Sequence, residues 1–219
     1  NALGEVTIFA QASSSNGDLD LGNNYDSETT PVVIGAGLEL TVNSTGNGGD
    51  VAAGNGVCET STGNGVCTLR AAVQEANALA GPNTITIATA GTITVSGGIA
   101  ITDDATIRSG LSGHAEISGG ATSQIFSIAS ALYPDVVLER LELVAAASAQ
   151  AGSAVFLSSA GDVTFTDCRI SGNSSSGGGA VGVGTWAGNL LFDGCSFNDN
   201  TSSASGAAVA VYGNPIYQR

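Results

Sequence analysis

Lysine and methionine are absent from these 219 residues, histidine occurs once, and aromatic side chains make up only 5% of the chain. The five cations, Arg70, Arg108, Arg140, Arg169 and Arg219, stand singly. A phosphate backbone is held by clustered Lys and Arg, so this spacing excludes nucleic acid as a partner. No stretch of 18 apolar residues occurs, and no membrane span is expected. The chain opens at Asn1 without a signal-peptide pattern, and the missing methionine reads as a processed N-terminus. Nineteen acidic residues leave a formal charge of −14, which favours solubility and makes divalent cations candidate ligands.

Glycine is plentiful, at 32 residues, and is interspersed with short alternating runs of Val, Ile and Leu that a disordered chain would lack. An internal repeat organises the last third. Val163-Thr-Phe-Thr-Asp-Cys-Arg-Ile-Ser-Gly-Asn173 lies on Leu190-Leu-Phe-Asp-Gly-Cys-Ser-Phe-Asn-Asp-Asn200 at a constant offset of 27. A further step of 27 back places Leu138, Leu141 and Leu143 at the Phe165, Cys168 and Ile170 positions. A second strand recurs at Ala154–Leu157, Ala180–Val183 and Ala208–Val211, at offsets of 26 and 28. Fixed periods in the twenties with period-two alternation predict a solenoid of stacked coils and exclude helical repeats.

Upstream, Thr84–Ile87, Thr92–Val95, Ile99–Ile101, Ala105–Ile107, Ala115–Ile117 and Ile125–Ile128 read as further strands of the same winding. One helix is predicted over Thr68–Ala80, with a stripe of Leu69, Ala72, Val73, Ala76, Leu79 and Ala80, ended by Gly81-Pro82. Its place is over the open first coil, whose apolar interior and strand edge need a cover. Cys58 and Cys67 flank a glycine-rich loop short enough to close as a disulfide, stabilised by about 2–3 kcal/mol and indicating export. A zinc site is the competing reading, but it lacks further ligands, because His114 lies far off in sequence.

Gly56-Val-Cys58, then Gly65-Val-Cys67-Thr-Leu-Arg70-Ala-Ala-Val-Gln-Glu75-Ala-Asn77-Ala, resembles the Cys-Ser-Leu-Arg-Glu-Ala-Ile signature that opens many bacterial surface β-helix proteins. Threonine replaces the serine, alanine the glutamate and valine the isoleucine. The similarity spans about residues 38 to 219, and Leu40-Thr-Val-Asn43 resembles the strand before the motif. The resemblance implies a secreted or cell-surface protein, an adhesin or matrix component. It carries little information on chemistry.

Parallel β-helices also include pectin-type lyases and polygalacturonase-like hydrolases. Lyase chemistry needs a strong base beside acidic Ca2+ ligands, and no aspartate cluster is evident beside Arg140 and Arg169. Asp103-Asp104 is the one adjacent carboxylate pair, and strand neighbours point to opposite faces. His114 is read as a surface turn residue. Asp18, Asp20, Asp26 and Glu28 surround Gly22 as oxygen ligands surround Ca2+, although their spacing departs from an EF-hand and a solvated acidic linker is the competing reading.

Asn173 and Asn200 share a phase after a strand, where asparagine tolerates left-handed backbone and stacks its amide as a ladder. Both, like Asn43, also stand in glycosylation sequons. Cys168 and Cys195 are expected inside the barrel as stacked thiols, with a second disulfide as the alternative. Trp186 could pack a loop or stack on sugar.

The expected protein is therefore all-β, a right-handed parallel β-helix with one N-terminal capping helix. Its expected parts are an extension over 1–37, a cap with disulfide loop over 38–83 and coils over 84–219. The expected role is extracellular, structural and non-catalytic, with no cofactor beyond candidate Ca2+, and with a polysaccharide or another surface ligand as candidate partner. A carbohydrate-active or polysaccharide-binding β-helix is the alternative. The strand-like run Glu5, Val6, Thr7, Ile8 and Phe9 is the candidate for adding to a neighbour's open edge, giving head-to-tail self-association through the solenoid ends.

Overall fold

A computed structural model of the chain describes the backbone of residues 4–11 and 25–32, and residues 37–184, 188–204 and 206–212 in full. Two compact units divide it, Asn1–Ala36 and Gly37–Arg219. In the first, strand Gly4–Gln11 pairs antiparallel with Tyr25–Val32, so that Gly4 faces Val32 and Gln11 faces Tyr25. The run Glu5–Phe9 is thus paired within its own chain rather than standing as a lone extension. One edge of this hairpin strand is already satisfied. The cap and the coils both fall within the second unit.

That unit is a parallel β-solenoid. Sheet I stacks Glu39–Val42, Asn83–Ile87, Ala105–Ser109, Val136–Glu139, Val163–Thr166 and Leu190–Asp193. Sheet II stacks Ile93–Thr94, Ala115–Ser118, Leu141–Val144, Arg169–Ser171 and Ser196–Asn198. Sheet IV stacks Ile99–Ile101, Phe126–Ile128, Val155–Leu157, Val181–Val183 and Val209–Val211. Sheet III, absent from the sequence expectation, is a narrow ladder of Ala147–Ser148, Ser174–Ser175 and Thr201–Ser202. The chain completes four turns from Asn83 to Leu190, with Val136, Val163 and Leu190 in register 27 residues apart. Val155, Val181 and Val209 pair in the same way, at offsets of 26 and 28.

Alternation explains the core. Each strand turns every second side chain inward, and in-register stacking places like on like. Ile85, Ile107, Leu138 and Phe165 form one column in sheet I, all fully buried. Ile117, Leu143 and Ile170 do the same in sheet II. Each such side chain contributes about 1.5–3 kcal/mol by leaving water.

The segment that carries Leu138, Leu141 and Leu143 forms two strands, Val136–Glu139 and Leu141–Val144, split at Arg140. Arg140, Asp167 and Gly194 share one phase and all take left-handed backbone, with φ of 54°, 48° and 64°. One such residue bends the chain from sheet I into sheet II. Ala145, Gly172 and Asp199 repeat the device at the end of sheet II, with φ of 47°, 63° and 53°. The left-handed position therefore falls on the residue before Asn173 and Asn200, not on the asparagines, which frees their amides to point along the barrel.

The helix runs over Leu69–Ala78, shorter than predicted at both ends. Thr68 is its N-cap and accepts a hydrogen bond from the Ala71 amide, which satisfies an otherwise orphaned donor. Leu79 and Ala80 leave the predicted stripe because buried Asn83 ends the helix first: its Nδ2 donates to the Ala76 and Leu79 carbonyls at 2.9 and 2.8 Å. Packed against strands Glu39–Val42, Asn83–Ile87 and Ile99–Ile101, the helix covers the first coil.

Candidate functional site

The cap is tied by the Cys58–Cys67 disulfide, whose Cα atoms are 5.2 Å apart. Glu75, unremarked in the sequence, is fully buried on the helix. Its carboxylate accepts from the amides of Gly54, at 2.6 Å, and Gly56, and so holds the loop that carries Cys58. A carboxyl group so buried needs polar partners, and the two backbone donors supply them. This is cap architecture, not chemistry.

The asparagine positions form a ladder. Asn173 Oδ1 accepts from the Ala146 amide at 2.9 Å, while its Nδ2 donates to the Leu143 carbonyl and to Asn200 Oδ1, both at 3.0 Å. Asn200 Nδ2 donates in turn to the Ile170 carbonyl at 2.8 Å. Asn43 is used locally, with its side chain bonded to the Gly65 carbonyl and the Cys67 amide.

Cys168 and Cys195 are free thiols, so the second disulfide is not formed. Side chains in register on parallel strands point the same way, and each sulfur bonds a carbonyl of the preceding coil: Leu138 for Cys168 at 3.2 Å and Phe165 for Cys195 at 3.4 Å. Burial pushes the Cys168 thiol up to about 12. It stays protonated and unreactive at pH 8. Alkylation of the native protein at pH 8 without reductant is expected to add one group, on half-buried Cys195. Denaturation should raise the intact-mass increment to two groups, and reduction to four. Four groups without reduction would remove the disulfide, and equal native labelling of both thiols would contradict the burial argument.

Arg140, His114 and Asp104 are each bonded to the backbone. Arg140 donates through Nη2 to the carbonyls of Leu111 and Gly113, and Arg169 lies opposite Glu142 in sheet II. His114 is not a bare surface residue: its side chain is 13% exposed, and Nε2 donates to the Asp167 carbonyl at 2.8 Å. Asp104 belongs to an aspartate column that the sequence reading missed. Asp104 Oδ1 accepts from the Asp135 amide at 2.9 Å, Asp135 Oδ1 from Asp162 at 2.7 Å, and Asp162 Oδ1 from Asn189 at 2.9 Å. Each carboxylate fixes the entry of the next coil into sheet I. Among the described residues, no three His, Cys, Asp or Glu side chains converge to hold a metal ion.

Asp18 and Asp20 lie outside the described residues, as does Trp186. Asp26 and Glu28 lie in the strand Tyr25–Val32, opposite Ala10 and Ile8.

Two surface features remain. In the last described coil Phe192 and Phe197 continue the columns of Phe165 and Ile170 but are only half-buried, and Val211 is 53% exposed. Along the outer face of sheet IV runs a groove whose floor is the outward column Ala100, Ser127, Phe156. A cavity of about 700 Å³ lies at the helix end, lined by Arg70, Gln74 and Ser127. It continues past Gln124 and Ser148 into one of about 580 Å³ lined by Phe156, Ser158 and Tyr212. Comparison with family models, with curated proteins and with solved structures finds no match to this chain.

Proposed function

We propose that the protein is a non-catalytic extracellular structural or adhesive module of a cell surface, and that it associates end to end through the half-buried apolar face at Leu190, Phe192, Phe197 and Val209. The reading rests on one contrast: the helix and disulfide loop cover the first coil, while at strands Leu190–Asp193, Ser196–Asn198 and Val209–Val211 the described residues leave Leu190, Phe192, Phe197 and Val209 half-buried and Val211 exposed. Half-buried apolar columns of this kind favour a further layer of protein over water, and a strand added from another copy supplies one. Contact between unlike ends does not close on itself and so propagates. The disulfide supports an oxidising compartment. The resemblance of the Cys67-Thr-Leu-Arg70 segment to surface β-helix proteins supports the same placement.

Sedimentation velocity of the full chain over a range of concentrations, with negative-stain microscopy, tests it. Elongated assemblies that grow with concentration are expected. Val211→Lys, which puts a charge on the half-exposed rim, should stay folded by circular dichroism and sediment as a monomer. A wild-type monomer at high concentration, or unchanged assembly of the variant, would refute the reading.

A further inference from the structure

We propose that the groove on sheet IV binds an uncharged linear polysaccharide. This deepens the adhesive side of the proposed function, rests on it, and is tested separately from end-to-end association, since Ser127 and Phe156 lie in interior strands of sheet IV.

Charge narrows the ligand first. The molecule carries −14, yet among the described residues no Asp or Glu lines either part of the groove, and Arg70 is the one charged residue there. Arg70 is already engaged, with Nε donating to Asn47 Oδ1 and Nη2 to the Ser96 carbonyl. An acidic polymer would meet the repulsion of the whole molecule with a single committed cation to offset it. A cationic polymer would find no carboxylate. The lining suits a ligand without charge.

The floor then separates glycan from peptide. Strands Ile99–Ile101, Phe126–Ile128, Val155–Leu157 and Val181–Val183 are hydrogen-bonded to each other in register. At the outer edge of Ile99–Ile101, the end strand of the sheet, Asn77 donates to the Ala100 carbonyl and accepts from the Thr102 amide, so a peptide main chain would have to displace Asn77 to pair there. What the groove offers is amides, hydroxyls and an aromatic face. Gln74 uses Oε1 to accept from the Asp50 amide, which leaves its Nε2 as a donor, and the Ser127 and Ser158 hydroxyls stand at outward and rim positions. Phe156 is the sole large side chain of its column, with Ser127 on one side and Gly182 on the other. A ring in such a slot presents a face to the apolar side of a pyranose.

Periodicity supplies the third argument. Successive rungs are about 4.8 Å apart along the solenoid axis, a spacing comparable with the advance of one ring along an extended glycan. Ala100, Ser127 and Phe156 would therefore sit beneath successive sugars.

Isothermal titration of the full-length protein with cellohexaose, mannohexaose and laminarihexaose, beside hexagalacturonate as the acidic control, tests this. At least one neutral hexamer is expected to bind, and hexagalacturonate to bind at least tenfold more weakly. Phe156→Ala should weaken the neutral ligand at least tenfold. Ser127→Tyr, which fills the floor from an outward position, should abolish binding with circular dichroism unchanged, and it decides the matter if Phe156→Ala fails to fold. No binding of any neutral hexamer at millimolar concentration, tighter binding of the acidic one, or binding indifferent to Ser127→Tyr would overturn the proposal.

Discussion

Phe165→Ala is expected to destabilise the solenoid by about 3–5 kcal/mol, the range for deleting a buried aromatic ring, whereas Phe192→Ala one coil on should cost distinctly less. The two residues occupy the same column in register, with ring centroids 4.8 Å apart. Phe165 is completely buried, between Leu138 and Phe192. Phe192 has Phe165 on one side and an edge-on Phe197 at 5.1 Å, but no described coil beyond it. Truncation at Phe165 leaves a cavity that flanking coils, held by their ladders, cannot collapse to fill. Truncation at Phe192 leaves a dent already open to water. Urea denaturation of both variants, in dilute solution where self-association is absent, measures the difference. Equal losses would mean that the last coil is as well covered as the interior ones.

Asn173→Ala is expected to cost about 2–6 kcal/mol, because it strands two buried groups, each worth about 1–3 kcal/mol when left unpaired. The groups are the Ala146 amide and the Leu143 carbonyl, both served by the one carboxamide. Neither can turn to water, for Asn173 is 1% exposed and Ala146 equally buried. Asn200→Ala should be milder, since Asn200 is only half-buried in the last coil. Hydrogen exchange localises the effect: faster exchange should appear at Ala146 and Ser174 on either side of the ladder, while the helix Leu69–Ala78 is unaffected, as nearest-neighbour coupling in a solenoid requires. A loss below 1 kcal/mol would show that water replaces the amide.

Much of this was legible in the chain, and the reason is local. Side-chain direction in a strand alternates regardless of context, and a coil can stack only like positions on like. The 27-residue offset therefore determined that Phe165 lies on Phe192, Cys168 on Cys195 and Asn173 on Asn200, and the Cys58–Cys67 spacing pointed to the disulfide. The aspartate column was also within reach, since Asp135, Asp162 and Asn189 keep the same offset one residue ahead of the aligned blocks. What made it meaningful was the approach of each carboxylate to the next coil's amide, which composition does not express.

The tertiary structure alone decided where the chain bends and what the bends bring together. Arg140, Asp167 and Gly194 share no side-chain chemistry, yet all take the left-handed turn, because the closure of the coil imposes it on whichever residue falls there. Burial of Glu75 depended on the path of a glycine-rich loop some 20 residues earlier. The partner of Glu5–Phe9 was the run from Tyr25 to Val32, whose acidic residues read as a metal loop or linker until antiparallel pairing placed them in a strand. The groove had no sequence signal, for Arg70, Ser127 and Phe156 belong to a helix and two different coils. Periodicity by itself determined the coils and their core; only the folded path of the loops, which follows from contacts between residues far apart in the chain, decided the cap, the turns and the surface on which a ligand would sit.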